Sequence, residues 1–200
     1  MEPNIILIVG KAAVGKSTLS NKFREDGYII ISMDDIIKEK IIPNIDDLKR
    51  EPWLAFRLYK DEYSNNIINN ARELFINEMI KLIDPNKKIV IEGSLTDQKT
   101  IAKIFSNINF KLYYVRPIDI NTYVLHIKDR FIDNPTDYGR IGFLRSADIN
   151  GFALDDYVKN GINGKVINEL IRKVVESEYI KIDETYNHYS KYFDVIVYFT

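Results

Sequence analysis

Two hundred residues with 46% apolar and 12% aromatic content are enough for one domain with a sizeable core, and such a composition excludes a disordered chain. Basic and acidic residues nearly cancel (28 against 29, net −1), which argues against a protein that coats nucleic acid or an anionic membrane, though not against a local basic groove. With no cysteine, disulfides, thiolate metal sites, iron–sulfur clusters and thiol nucleophiles are all excluded.

The N-terminal Met1-Glu2-Pro3-Asn4 lacks the positive charge of a signal peptide. No apolar run approaches the ~18 residues a membrane span needs. The expectation is a cytoplasmic protein with no membrane partner.

Five short β-branched runs are predicted as strands: Asn4–Val9, Tyr28–Ser32, Lys88–Ile91, Phe110–Val115 and Asp194–Phe199. Each is apolar at both parities, as strands buried on both faces of a parallel sheet are. Between them lie segments of helical period. Ser17–Arg24 follows the first strand directly, and Trp53–Ile83 places Phe56, Tyr59, Tyr63, Ile67, Ala71 and Leu74 on one face. Thr96–Phe105, Asp119–Phe131 and Gly164–Tyr192 complete the set.

Strands alternating with helices predict an α/β fold with a parallel sheet in one domain. Two excursions leave this pattern: a mostly helical stretch over residues 38–86, and a polar, turn-rich stretch over 133–164 that has the character of a mobile lid.

The strongest chemical signal is Gly10-Lys11-Ala12-Ala13-Val14-Gly15-Lys16-Ser17, a full match to G-x-x-x-x-G-K-[ST] between a predicted strand and a predicted helix. Glycines let the backbone turn its N–H groups inward as a nest for phosphate oxygens. The helix that opens there adds its positive end and its unpaired donors. Lys16 supplies a point charge for β- and γ-phosphates, Ser17 a hydroxyl for Mg²⁺, and Thr18 a contact for the α-phosphate. The pattern reads as a nucleoside-triphosphate site.

A second signal is Ser32-Met33-Asp34-Asp35 at the end of the second strand. Ligands of open α/β sheets lie at the carboxyl ends of the strands, so these carboxylates project beside the loop. One can take a proton from an acceptor hydroxyl or orient magnesium. Asp34 is assigned that role, and Asp35 the capping of a helix over residues 36–40.

Gly10–Thr18 followed by a strand ending in Asp34-Asp35 resembles the small P-loop kinases, the broad group of nucleoside, gluconate, shikimate and polynucleotide 5′-hydroxyl kinases. The resemblance rests on about 35 N-terminal residues and the later element order. It implies a three-layer P-loop NTPase fold with sheet order 2-3-1-4-5 and a lid, and Asp34 as general base. One departure is Ala13, where those kinases usually carry glycine. Ala13-Val14-Gly15-Lys16-Ser17 is similar to the loop of tRNA isopentenyltransferases, whose downstream Asp-Ser pair is missing here. That gives a lesser alternative, a tRNA-modifying prenyl transferase.

Glu92, closing the run Ile89-Val90-Ile91, stands where an acidic residue orients Mg²⁺ through water, and Gly93 after it permits close approach of a ligand. The competing reading is a helix-entry turn capped by Ser94 or Thr96. Phosphoryl transfer also needs cations over the migrating group, commonly delivered by a closing lid. Arg130 and Arg140 are the candidates, with Arg145 nearby and Arg116 ending the fourth strand.

His126 and His188 sit in helical segments without a metal-like partner and read as structural. A GTPase is disfavoured: Asp148-Ile149-Asn150-Gly151 lies in the turn-rich stretch, and Asn86-Lys87-Lys88-Ile89 lacks the final acid.

The expected activity is ATP- and Mg²⁺-dependent transfer of the γ-phosphoryl group to a small acceptor, a nucleoside, nucleotide or other hydroxyl compound. The rivals are a kinase of nucleic-acid 5′ ends and a nucleotide-binding or hydrolysing module with no acceptor. Trp53, Phe56, Arg57 and Tyr59 are candidates for lining an acceptor pocket, although core packing explains the aromatics equally well. Neither the acceptor nor the oligomeric state is written in the sequence.

Overall fold

The computed structural model describes residues 3–57, 65–93, 102, 104–129 and 164–200. Its centre is β1 (Ile5–Val9), five aliphatic residues all buried on both faces. Around it stand β2 (Ile29–Ser32), β3 (Ile89–Gly93), β4 (Phe110–Arg116) and β5 (Val195–Phe199). All pairings are parallel, and the order is β2-β3-β1-β4-β5, an α/β sheet with the expected arrangement. The register aligns Val9 with Gly93 and Tyr114, and Ser32 with Glu92. The carboxyl ends of β1, β2 and β3 therefore open onto one edge of the sheet.

The expectation of strands buried on both faces holds for β1 but not for the two edge strands. Ile29 of β2 is 54% exposed and Phe199 of β5 is 56% exposed. Each edge strand has a neighbour on one side only, so its apolar composition outruns its cover.

Helix boundaries follow local chemistry. α1 (Lys16–Glu25) ends in a Schellman turn. Gly27, at φ 85°, donates to Arg24 O at 3.0 Å, and Tyr28 N donates to Phe23 O at 3.0 Å. The turn sets the Tyr28 ring edge-on to Phe23 and feeds the chain into β2.

α2 (Met33–Ile36) runs straight from β2 and continues as a π-helical turn, Ile37–Ile41. Its cap corrects an expectation. The capping side chain is Ser32, whose Oγ accepts from Asp35 N at 3.3 Å, so Asp35 is the donor in this cap, not the capping residue.

The stretch over 38–86 is helical in pieces. A 3₁₀ turn (Ile42–Asn44), α3 (Asp46–Arg50) and a second 3₁₀ turn (Pro52–Arg57) precede α4 (Asn66–Leu82). The single helix expected over 53–83 is thus not formed. Asn65 is extended (φ −69°, ψ 127°), and its Oδ1 accepts from Ile67 N at 2.9 Å, starting α4 afresh. An amphipathic face carried across that asparagine hides the break.

α5 (Ile120–Lys128) is capped by Asp119, which accepts from Thr122 N at 2.7 Å. α6 (Gly164–Ser190) then leads into β5. Tyr114 of β4 is buried and donates to Ile182 O of α6 at 2.8 Å, and burial raises its pKa well above the ordinary phenol value. Among the described residues no helix is long and apolar enough to cross a membrane.

Candidate active site

The loop joining β1 to α1 is held from several sides. The Lys16 ammonium reaches back across it, donating to Gly10 O at 3.1 Å and Lys11 O at 2.6 Å. Gly15 has φ 86°, and a side chain there would also collide with Thr200, whose Cγ2 lies 2.8 Å from a built Cβ. Thr200 Oγ1 donates to Val14 O at 3.0 Å, tying the residue after β5 to the loop. Ala13 adopts φ 60°, the left-handed region where glycine is at ease and a Cβ is strained. The glycine usual at this place in the resembled kinases would relieve that strain.

One open cleft of about 660 Å³ lies over this loop. The loop contributes Ala12, Ala13, Gly15, Lys16, Ser17 and Thr18. Gly10 and Val14 are buried beneath it. Lys11 faces α6 and pairs with Glu178 at 3.1 Å, so its charge is directed at a carboxylate of the protein itself.

The β2 and β3 ends contribute Asp34 and Glu92 to the same cleft, while Asp35 is exposed outside it. Glu92 Oε2 accepts from Ser20 Oγ, and that hydroxyl also lies 3.0 Å from Lys16 O. A serine has one proton to donate, so the two acceptors share it. Ser20, on α1, is fully buried and positions the Glu92 carboxylate behind the loop.

Met33 is packed flat against Gly93: a Cβ built on Gly93 would lie within 2.8 Å of Met33 Cβ and Cγ. This close approach brings α2, and Asp34 with it, up to the end of β3.

The opposite side of the cleft is formed by His126 and Asp129 at the end of α5, and by Tyr198 and Thr200 at the end of β5. None of these four stands out in the sequence. His126 reads there as structural, whereas the fold places it in the cleft wall. The available signal is its one-turn spacing from Tyr123, whose hydroxyl donates to Ala12 O at 3.2 Å.

Charge pairs brace this side. Burial raises the Glu178 pKa, but Lys11 and Lys181 outweigh burial and hold the carboxyl below its ordinary value. Arg116 pairs with Asp183 at 2.6 Å. Burial lowers its pKa, and a hydrogen bond with Tyr179 and the Asp183 charge reverse the direction. Its guanidinium is thereby engaged with α6.

Arg130, Arg140 and Arg145 lie outside the described residues, as does the lid expected over 133–164 apart from its last residue, Gly164, which opens α6. Also outside them are Tyr59, Ser94 and Thr96, and the side chains of Trp53, Phe56 and Arg57. His188, read as structural, lies on α6 with its ring 6.4 Å from that of Tyr192.

A hydroxyl and one carboxylate on a shared wall are hard oxygen donors. That sparse set suits Mg²⁺, which keeps waters and takes further ligands from phosphates, better than a softer metal.

No family model and no curated protein matches this chain. Among solved structures it is similar to a gluconokinase from Sinorhizobium meliloti 1021, at 12% identity and TM-score 0.46, covering 93% of this chain and 97% of that one. It is also similar to deoxyadenosine kinase from M. mycoides with bound dATP, at 17% identity and TM-score 0.45, covering 97% and 90%. TT1252 from Thermus thermophilus is 18% identical at TM-score 0.45, covering 89% and 98%. With each of these scores below 0.5, the fold assignment stands on this chain's own strand order.

Proposed function

We propose that this protein is an ATP-dependent phosphotransferase that moves the γ-phosphoryl group to a hydroxyl of a small acceptor, such as a nucleoside, a nucleotide or another hydroxyl compound. The observation that supports it most is the shared cleft: loop residues 12, 13 and 15–18, the Asp34 carboxylate and the Glu92 carboxylate line one volume. Of the three carboxylates that line the cleft, Asp34, Glu92 and Asp129, this reading gives Glu92 to the metal and Asp34, just beyond β2, to the acceptor hydroxyl.

In this reading the backbone N–H groups of residues 13–17 cradle the phosphates, and Lys16 leaves Gly10 O and Lys11 O to pair with β- and γ-oxygens. Thr18 contacts the α-phosphate. Ser17 and Glu92 are the residues that would hold Mg²⁺, which when bound supplies positive charge against the β- and γ-oxygens. The acceptor oxygen attacks the γ-phosphorus, its proton passes to Asp34, and the bond from γ-phosphorus to the bridging oxygen breaks to release ADP. Arg130 and Arg140 are assigned to the charge on the migrating group.

The test is ³¹P NMR of Mg-ATP with pooled nucleosides, nucleoside monophosphates, sugars, sugar acids and a 5′-hydroxyl oligonucleotide. A new phosphomonoester or diphosphate resonance is expected. ADP and inorganic phosphate alone would instead favour a hydrolysing module. Asp34→Ala is expected to lower turnover by about 10²–10⁴-fold while Mg-ATP still binds. Equal turnover in that variant would remove Asp34 from the chemistry.

A further inference from the structure

Three titratable side chains of the cleft, His126, Asp129 and Tyr198, have no task in the phosphoryl transfer proposed above, and His126 is the one with an unsatisfied buried atom. His126 lies in the wall formed by the last turn of α5, and its Nδ1 is buried with no hydrogen-bond partner among the described residues. A buried ring nitrogen of this kind is normally satisfied. A stranded N–H costs more than a stranded lone pair, so the favoured tautomer carries its proton on Nε2.

The position of the ring is fixed by its neighbours. One helical turn earlier, Tyr123 is buried and anchored to Ala12 O in the first half of the loop. That link holds α5 against Ala12, and His126, one turn further along the helix, lines the same cleft as Ala12 and Ala13. The strand order then separates the two walls. Asp34 and Glu92 follow β2 and β3 on one side of β1, while His126 follows β4 on the other. A phosphoryl group poised between the loop and Asp34 has the imidazole on its far flank.

We propose that His126 is a phosphate-contacting residue of this cleft: Nε2–H donates to an oxygen of the terminal phosphoryl group of a bound nucleoside triphosphate, so that the site distinguishes ATP from ADP. This rests on the nucleotide reading of the loop. It adds a neutral donor on the β4 side, where Lys11 and Arg116 are both engaged with carboxylates of α6.

Isothermal titration of the full chain with Mg-ATP and with Mg-ADP tests it. His126→Ala is expected to weaken Mg-ATP on the order of tenfold, the range of a hydrogen bond to a charged group, and to leave Mg-ADP within about twofold. The ratio of the two affinities is the readout, because a general loss of folded protein lowers both alike. His126→Gln, whose amide nitrogen reaches the place of Nε2, is expected to restore most of the ratio. His126→Asn, whose amide reaches only the place of Nδ1, is not. An unchanged ratio in His126→Ala overturns the assignment, and so does equal behaviour of the Gln and Asn variants. Failure of the wild-type chain to bind either nucleotide overturns the nucleotide reading itself, and this inference with it.

Discussion

The two sides of the loop after β1 are built on different principles. On the β2–β3 side, Asp34 and Glu92 stand at or just beyond strand ends, placed by the strand register and the next turn of chain, and one distant contact, from Ser20, then orients the Glu92 carboxylate. On the β4–β5 side, the wall is held by links between distant residues: Tyr123 to Ala12, Lys11 to Glu178, Thr200 to Val14. The first side is positioned by the regularity of a sheet, the second by individual polar contacts. A change on the first side should therefore alter chemistry with the fold intact, and a change to one of the links on the second should alter the loop's support before its chemistry.

The largest expected effect comes at the hinge between the two sides. Lys16→Ala removes the ammonium that crosses the loop, and Mg-ATP affinity is expected to fall by roughly a hundredfold or more. Titration calorimetry reads it directly, and unchanged affinity would break the assignment of the loop to phosphate.

Next in size is Glu178→Gln on the bracing side. Lys11 and Glu178 are only about one-fifth exposed (20% and 21%), so loss of the charge pair is expected to cost about 1–2 kcal/mol. The sign with pH follows from the depressed carboxyl. Its contribution is fully present above the unfolded value, about 4.5, and is lost as pH falls through the lower folded value. Thermal melts from pH 7 down to 3 should show a shallower acid loss in the variant than in the wild type. Identical acid slopes would mean that the pair does not brace the loop.

How much of this was legible from sequence divides along the same line. The strands, the loop and the helix that follows β4 are local patterns, and a local reading recovers them. The place of Asp34 and Glu92 beside the loop is legible because a strand end is itself a position in space. His126, Tyr198 and Thr200 were missed because their meaning depends on partners or neighbours more than a hundred residues away. The break at Asn65 was missed for the opposite reason: the apolar period continues across it, and one side-chain hydrogen bond overrides the period. Asp35 was assigned a cap that belongs to Ser32, three residues earlier, since Ser and Asp are equally good caps and spacing alone did not separate them.

The smallest expected effect sharpens the comparison from within the loop. Ala13→Gly relieves a left-handed angle that costs about 1–2 kcal/mol. It also frees the unfolded chain and removes a buried methyl, which together offset a similar amount. Stability should change by less than about 1 kcal/mol, measured by denaturant titration. A loss above about 2 kcal/mol would mean that the methyl's packing dominates the backbone angle.

The contact between Gly93 and Met33 has a consequence for variation in this chain. Because no room exists for a Cβ at 93 while a full methionine occupies 33, the two positions behave as one volume shared between two residues. Whatever is added to one must be subtracted from the other, or α2 tilts outward and carries Asp34 with it. The spacing between the acidic side chain and the loop is thus gauged by a thioether that itself touches no substrate.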